Sequence, residues 1–217
     1  MKKPVPTLYL FNNIFYPQTV IPLTVNDNIS KQMLLTSYQN STDIALFHPH
    51  TRSRGVGTLG KIILIDHNTD SSLSVVIQGL VRIKLLDMDK DDPYPLYHTD
   101  DYYDLDEKTQ TLTDSPIERL HLVLESWLHR HVNSTRERER FMKDMSSPAK
   151  LINNLCMFLI KDIELKQIFL ESTSLLDRVR MMNALLVGES PENEDVEMCE
   201  AIKSFERLET DHYRNAS

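Results

Sequence analysis

The feature that most limits how this chain can fold is a change in the period of its apolar residues near position 114. Before it, short apolar or β-branched runs recur at TLYLF (7–11), VIPLTV (20–25), DIALF (43–47), GTLGKIILI (57–65), LSVVIQ (73–78) and VRIKLL (81–86). Turn formers separate them, and HNTDSS (67–72) stands where a hairpin between two strong strands would close. Gln78-Gly79 interrupts the last pair and predicts a bulge or sharp bend. Residues 30–39 break the pattern: Ser30 is placed to cap a short helix with Leu34 and Tyr38 on one face. Several short strands with one intervening helix predict a small barrel-like sheet.

After 114 the period is helical. Ser115-Pro116-Ile117-Glu118 combines an N-cap serine, proline at the first helical position and glutamate at N3. Ile117, Leu120, Leu124, Trp127, Leu128 and His131 then form one stripe. Ser147-Pro148 opens a second helix carrying Leu151, Leu155, Phe158 and Leu159; Asp162 caps a third. Ser174 with Asp177 begins a fourth, ending at Gly188 as a C′ glycine. Short linkers predict antiparallel packing. The fold class expected is therefore α+β: a barrel-like sheet over residues 1–110 and a helical bundle over 111–188. Residues 189–217 form an acidic tail, beginning ESPENEDVE, with a short amphipathic helix over 196–209 through Val196, Ile202, Phe205 and Leu208.

Length and composition narrow the function. A chain of 217 residues suffices for one large domain or two small ones sharing an interface, and 41% apolar residues suffice for a core. Lys plus Arg number 24 against 32 Asp plus Glu, a net charge of −8. Nucleic-acid affinity comes mainly from neutralising phosphates, so this balance argues against RNA or DNA as the partner. The two cysteines, Cys156 and Cys199, are too few for a disulfide framework or a zinc site, and Cys156 sits in an apolar run that predicts a core position. No signal-peptide-like stretch and no run of about 18 apolar residues occurs, which predicts a soluble cytoplasmic protein without a membrane partner.

Several signals resemble chemistry and are better explained otherwise. GVGTLGK (55–61) has the spacing of a phosphate loop, but Ile62 replaces the Ser or Thr that would hold magnesium, and IILI continues as a strand. Asp87, Asp89 and Asp91 mimic three calcium ligands, yet Asp92 and His98 occupy the positions that need Gly and Glu; a solvated acidic turn before Pro93 is expected. His48, His50, His121, His129 and His131 lack metal-binding spacing. RERER (136–140) reads as an exposed helix face laced with weak ion pairs. No nucleophile elbow occurs, and no cysteine lies beside an activating base. No catalytic residue, metal or cofactor is expected.

LYLFNNIFYPQTVIPLTV (8–25) resembles the opening of the Lon protease N-terminal domain, with Tyr16-Pro17 at the family's Phe-Pro and Val20-Ile21-Pro22-Leu23 at its Val-Ile-Pro-Leu strand. Gly55 to Ile62 is similar to the family's Val-Gly-Thr strand, and Val76 to Ile83 to its Val-x-Gly-x-x-Arg hairpin. Leu165-Lys166-Gln167 and Leu176-Asp177-Arg178-Val179 resemble its helical part, so the likeness covers about residues 7–187. The opening departs in having Leu8-Tyr9-Leu10 for Leu-Pro-Leu, and the hairpin lacks an Asp-Gly turn.

The resemblance implies a PUA-like β-barrel followed by helices, acting in substrate recognition without ATPase or peptidase domains. Partners would be unfolded or peptide segments of other proteins, or a protease or regulatory assembly. An RNA-binding role, suggested by the PUA-like analogy alone, is the alternative. Phe11, Phe15, Tyr16, Met181 and Met182 are the candidate peptide contacts, with core packing as their competing role.

Overall fold

Asn68, Asp70 and Ser72 fix the first long hairpin. The Asp70 carboxylate accepts from the Ser72 amide at 2.9 Å and its hydroxyl at 2.6 Å, which lowers the Asp70 pKa, and Asn68 Nδ2 donates to Ser72 Oγ at 2.8 Å. Ser71 takes the left-handed conformation the turn needs. The flanking strands are β4 (Val56–His67) and β5 (Leu73–Lys90), paired antiparallel from His67↔Leu73 onward.

This computed structural model describes residues 3–49, 55–91, 93–105 and 114–186. The remaining strands are β1 (Val5–Tyr9), β2 (Val20–Val25), β3 (Ile44–Phe47) and β6 (Leu96–Asp101), with helix α1 (Asn28–Gln39) between β2 and β3. β1 lies parallel to β3; the other pairings are antiparallel. They run β5–β4–β3–β1–β6 and return to β5, a closed circuit, while among the described residues β2 is attached to the first part of β5 alone.

The two runs at 73–78 and 81–86 are one strand, not two. Leu59 pairs with Val81 but Gly60 with Gly79, so Leu80 is the extra residue of a bulge. Glycine is required at 79 because a Cβ there would overlap the Tyr16 carbonyl oxygen. The Gly79 amide donates to Thr19 O and its carbonyl accepts from Gln18, both at 2.9 Å, holding the 16–19 turn against the strand.

Two expectations are corrected. Helix α1 is capped by Asp27, whose carboxylate accepts from the Ser30 amide at 2.7 Å; Ser30 is inside the helix, three residues past the cap. Asp87 and Asp89 lie in a strand, not a turn: β5 continues to Lys90 because β6 pairs with it at Met88↔Tyr97 and Lys90↔Leu96, and Asp91 follows in the connection to β6. The RERER run lies on a helix of its own, capped by Ser134 and without buried residues, in keeping with the helix face expected there.

The helical part comprises α2 (Asp114–His131), α3 (Thr135–Asp144), α4 (Pro148–Leu159), α5 (Ile163–Glu171) and α6 (Leu175–Leu186). Ser147, Asp162 and Ser174 each accept from the backbone amide three residues on, as N-caps do. Every residue of α4 from Leu151 to Phe158 is buried, Cys156 among them, because α2 and α6 pack on α4 and on each other while α5 also touches it. One continuous apolar core runs from Leu8 in the sheet through Trp127 to Met182. The side chain of Ser115, and His50, Gly188, Cys199 and the 196–209 helix, lie outside the described residues.

Candidate functional site

Strand polarity creates the site. The Leu10 amide bonds to Phe47 O at 2.8 Å, so alternate residues Leu8 and Leu10 turn their backbone to β3, while Thr7 and Tyr9 turn theirs away. Thr7 uses its amide on Pro95 O at 2.9 Å; β6 pairs with β1 only at Val5 and Pro6. Beyond that point β1 presents an edge with no partner strand among the described residues.

β2 presents another. The Gly79–Thr19 bond sets the parity so that Ile21, Leu23 and Val25 bond towards β5 and Val20, Pro22 and Thr24 face outward. Pro22, with no N–H to give, is tolerated there because it stands on the outer edge.

Between these edges lies a groove of about 810 Å³. Its walls are β1 with the residues after it, β2 with the loop into α1, the first turns of α1, the β5–β6 connection, and Met157 and Phe158 at the end of α4. The lining is mainly apolar, and Phe11 (56% exposed) and Ile29 (58% exposed) stand at the surface along it. Its charged residues are Asp27 and Asp91. Burial first, then a 2.9 Å hydrogen bond to the Tyr97 hydroxyl and the charge of Asp91, raise the Tyr9 pKa well above its ordinary 10.0. That phenol remains a neutral wall of the groove.

Of the five aromatic and methionine candidates, the structure brings Phe11 to this groove. Phe15 (2% exposed), Tyr16 (1%) and Met182 (0%) are core residues with no surface to offer a ligand, and Met181, half-buried on α6, does not line the groove. The reason is the loop itself. Thr58 Oγ1 donates to Phe15 O at 2.5 Å, the Tyr16 hydroxyl donates to Lys166 O at 2.5 Å, and Asn153 Nδ2 donates to Pro17 O at 3.0 Å. Ile29, Asp91, Met157 and Phe158 were not legible as site residues; Pro22 inside an otherwise regular strand was the available signal of an open edge.

The junction between sheet and helices is the contrasting polar region. Arg82 on β5 donates to Leu170 O (3.1 Å), Ser172 O (2.6 Å) and the Asp104 carboxylate, and lies over the Tyr102 ring. Arg178 on α6 donates to the other Asp104 oxygen at 2.5 Å. Burial first, and the Arg178 charge second, lower the Arg82 pKa, which Asp104 opposes. Lys166 Nζ bonds Asn13 Oδ1 at 2.8 Å and Met157 O at 3.0 Å, and Gln167 Nε2 bonds Val56 O at 3.1 Å. These groups hold structure together; none is aimed into a cleft with a reacting partner.

The remaining chemical motifs resolve as structure. Gly57 and Gly60 of the phosphate-loop lookalike lie in β4, where a Cβ would press on Leu46. His48 Nε2 is 2.9 Å from Phe11 O, and His131 stacks on Trp127 at 4.1 Å between centroids. Cys156 is fully buried and burial raises its thiol pKa. Among the described residues no group of three or more His, Cys, Asp or Glu could hold a metal ion, and no helix is long and apolar enough to cross a membrane.

Residues 4–188 match the ATP-dependent protease La (LON) substrate-binding domain family. The fold is similar to the N-terminal domain of Mycobacterium avium complex Lon protease, with a TM-score of 0.64 at 16% identity, covering 83% of this chain and 96% of that one. It is also similar to the Lon N-terminal domain protein from Xanthomonas campestris, with a TM-score of 0.61 at 15% identity, covering 83% and 97%. No curated protein matches the chain.

Proposed function

We infer, because this chain belongs to the LON substrate-binding domain family, that it is a non-catalytic module that recognises exposed apolar segments of other polypeptides. The observation that carries this reading is the apolar groove between the β1 and β2 edges, with Phe11 and Ile29 exposed along it. A concave, mainly apolar surface with a few polar groups is what a binding site requires. The closed circuit of strand pairings supports a barrel for the sheet part, and the mutual packing of α2, α4 and α6 supports a bundle for the helical part. In this reading the module works in the cytoplasm and hands its ligand to, or docks on, a protease assembly.

Titration of the protein into fluorescently labelled unfolded polypeptides tests the reading. Saturable binding at micromolar concentration is expected, weakened at least tenfold in Phe11→Ala/Ile29→Ala with the fold retained. Absence of binding at tens of micromolar, or binding indifferent to that double substitution, defeats it. The RNA alternative has no comparable observation: among the described residues no Lys or Arg lines the groove.

A further inference from the structure

The geometry points to a specific mode and ligand chemistry for this groove: an extended polypeptide segment, apolar in alternate positions and carrying a Lys or Arg, docks as an added strand on the outer edge of β2. This inference rests on the reading of the groove as a polypeptide site and goes on to say how the backbone is held.

Backbone availability is the first argument. Val20 and Thr24 each direct an N–H and a C=O outward, and Pro22 directs a C=O alone. The Tyr9 backbone turns towards the groove from the β1 side. Both walls are therefore strand edges, and a strand laid between them has hydrogen-bonding groups on either flank. A helix would satisfy its own backbone and leave those edges facing it unused. The six residues of β2 extend about 20 Å at roughly 3.3 Å each, room for a strand of comparable length. Adding a strand to an exposed edge lets main-chain bonds supply affinity while alternate side chains supply selectivity.

Side chains and charge supply the second argument. Successive residues of the added strand point to opposite faces, so alternate positions face the core side of the groove, where Met33, Met157 and Phe158 form the floor. Among the described residues the charged side chains on the lining are Asp27 and Asp91, in a protein of net charge −8. A basic residue in the ligand complements them; an acidic one is repelled. Pro22 also gives the edge selectivity against uncontrolled pairing, because a second strand loses one donor there.

A labelled peptide alternating leucine and threonine with a lysine at each end is the probe, titrated into the full chain by fluorescence anisotropy. N-methylation of its backbone should weaken binding at least tenfold, and Thr24→Pro, which deletes an outward N–H, should weaken it several-fold while Thr24→Ala does not. Replacing the terminal lysines by glutamates should weaken binding about 2–5-fold, a difference that Asp91→Asn reduces. If the methylated and unmethylated peptides bind alike, strand addition is overturned while apolar recognition stands. If neither peptide binds, both readings fall. Equal or tighter binding of the glutamate peptide overturns the assigned ligand charge. A concentration-dependent dimer seen by sedimentation velocity and abolished by Thr24→Pro would assign the edge to a second copy of this chain instead. The peptide methylation result decides the matter even if Thr24→Pro fails to fold.

Discussion

The groove between β1 and β2 and the junction between sheet and helices draw on one short segment, and they treat its backbone in opposite ways. At the junction, the carbonyls of Phe15, Tyr16 and Pro17 accept from Thr58, Thr19 and Asn153, and the Tyr16 hydroxyl reaches Lys166 O. In the groove, the backbone of Tyr9 and the outward residues of β2 have no neighbouring strand among the described residues. Buried polar groups need partners, so the first region is rigidly specified; open edges lie where water or a ligand can replace the missing strand. Aromatic residues occur in both, and the backbone decides which of them can meet a partner.

The largest effect separating the two regions is expected at Asp104. Its single carboxylate bridges the Arg82 and Arg178 guanidinium groups, both nearly inaccessible to solvent. Asp104→Ala leaves two like charges facing each other in a buried site, and breaking such an arrangement costs about 3–5 kcal/mol. Urea denaturation should show that loss. A change below about 1 kcal/mol would mean that the junction is as tolerant as the groove, and the contrast would collapse.

Gly79→Ala comes next. Its Cβ would overlap a backbone oxygen, Tyr16 O, and the Gly79 amide and carbonyl are both committed to the 18–19 turn, so neither side can yield cheaply. A cost of about 1–3 kcal/mol follows from the overpacking. Hydrogen exchange should show the amide of Gln18 losing protection, since its bond is to Gly79 O.

This pair of residues also shows how far the sequence could be read. The VIPLTV strand has the bounds its alternation predicts, the β4–β5 hairpin closes where HNTDSS stands, and the helix starts at Ser147 and Asp162 carry their caps. Those features are local, and local chemistry sets them. β6 was missed because LYHTDD has little apolar alternation and sits behind Pro93 and Pro95; its partners on β1 and β5 make it a strand. The same partnership draws the acidic stretch 87–90 into β5. The site was less legible still. Phe11, Phe15 and Tyr16 are equally apolar in sequence, and only Gly79, Thr58, Lys166 and Asn153, all distant along the chain, decide that two of them turn inward.

Tyr16→Phe should cost about 1 kcal/mol, because the Lys166 carbonyl loses its buried donor. It also alters the pH dependence. Burial raises the folded Tyr16 pKa well above 10.0, so above pH 10 the unfolded chain releases a proton that the folded one retains. The unfolded state then binds fewer protons, and stability falls as pH rises. The contribution is intact below pH 10 and is lost through the alkaline range, where Tyr9 in the groove acts in the same direction. Denaturation midpoints followed between pH 8 and 11 should therefore decline less steeply in Tyr16→Phe. An unchanged alkaline slope would show that the phenol does not stay protonated on folding, against its place in the core.

The smallest stability effect is expected at Phe11, and its smallness is the informative part. More than half of this residue meets solvent, and its carbonyl lies 2.9 Å from His48 Nε2. Phe11→Ser keeps that carbonyl, so the denaturation midpoint should move by no more than about 0.5 kcal/mol in free-energy terms, as for surface substitutions generally. A side chain more than half exposed contributes little to folding, which leaves binding as the property the substitution should change. A loss near 2 kcal/mol would instead place Phe11 in the core with Phe15 and Tyr16, and the groove would lose its most exposed aromatic contact.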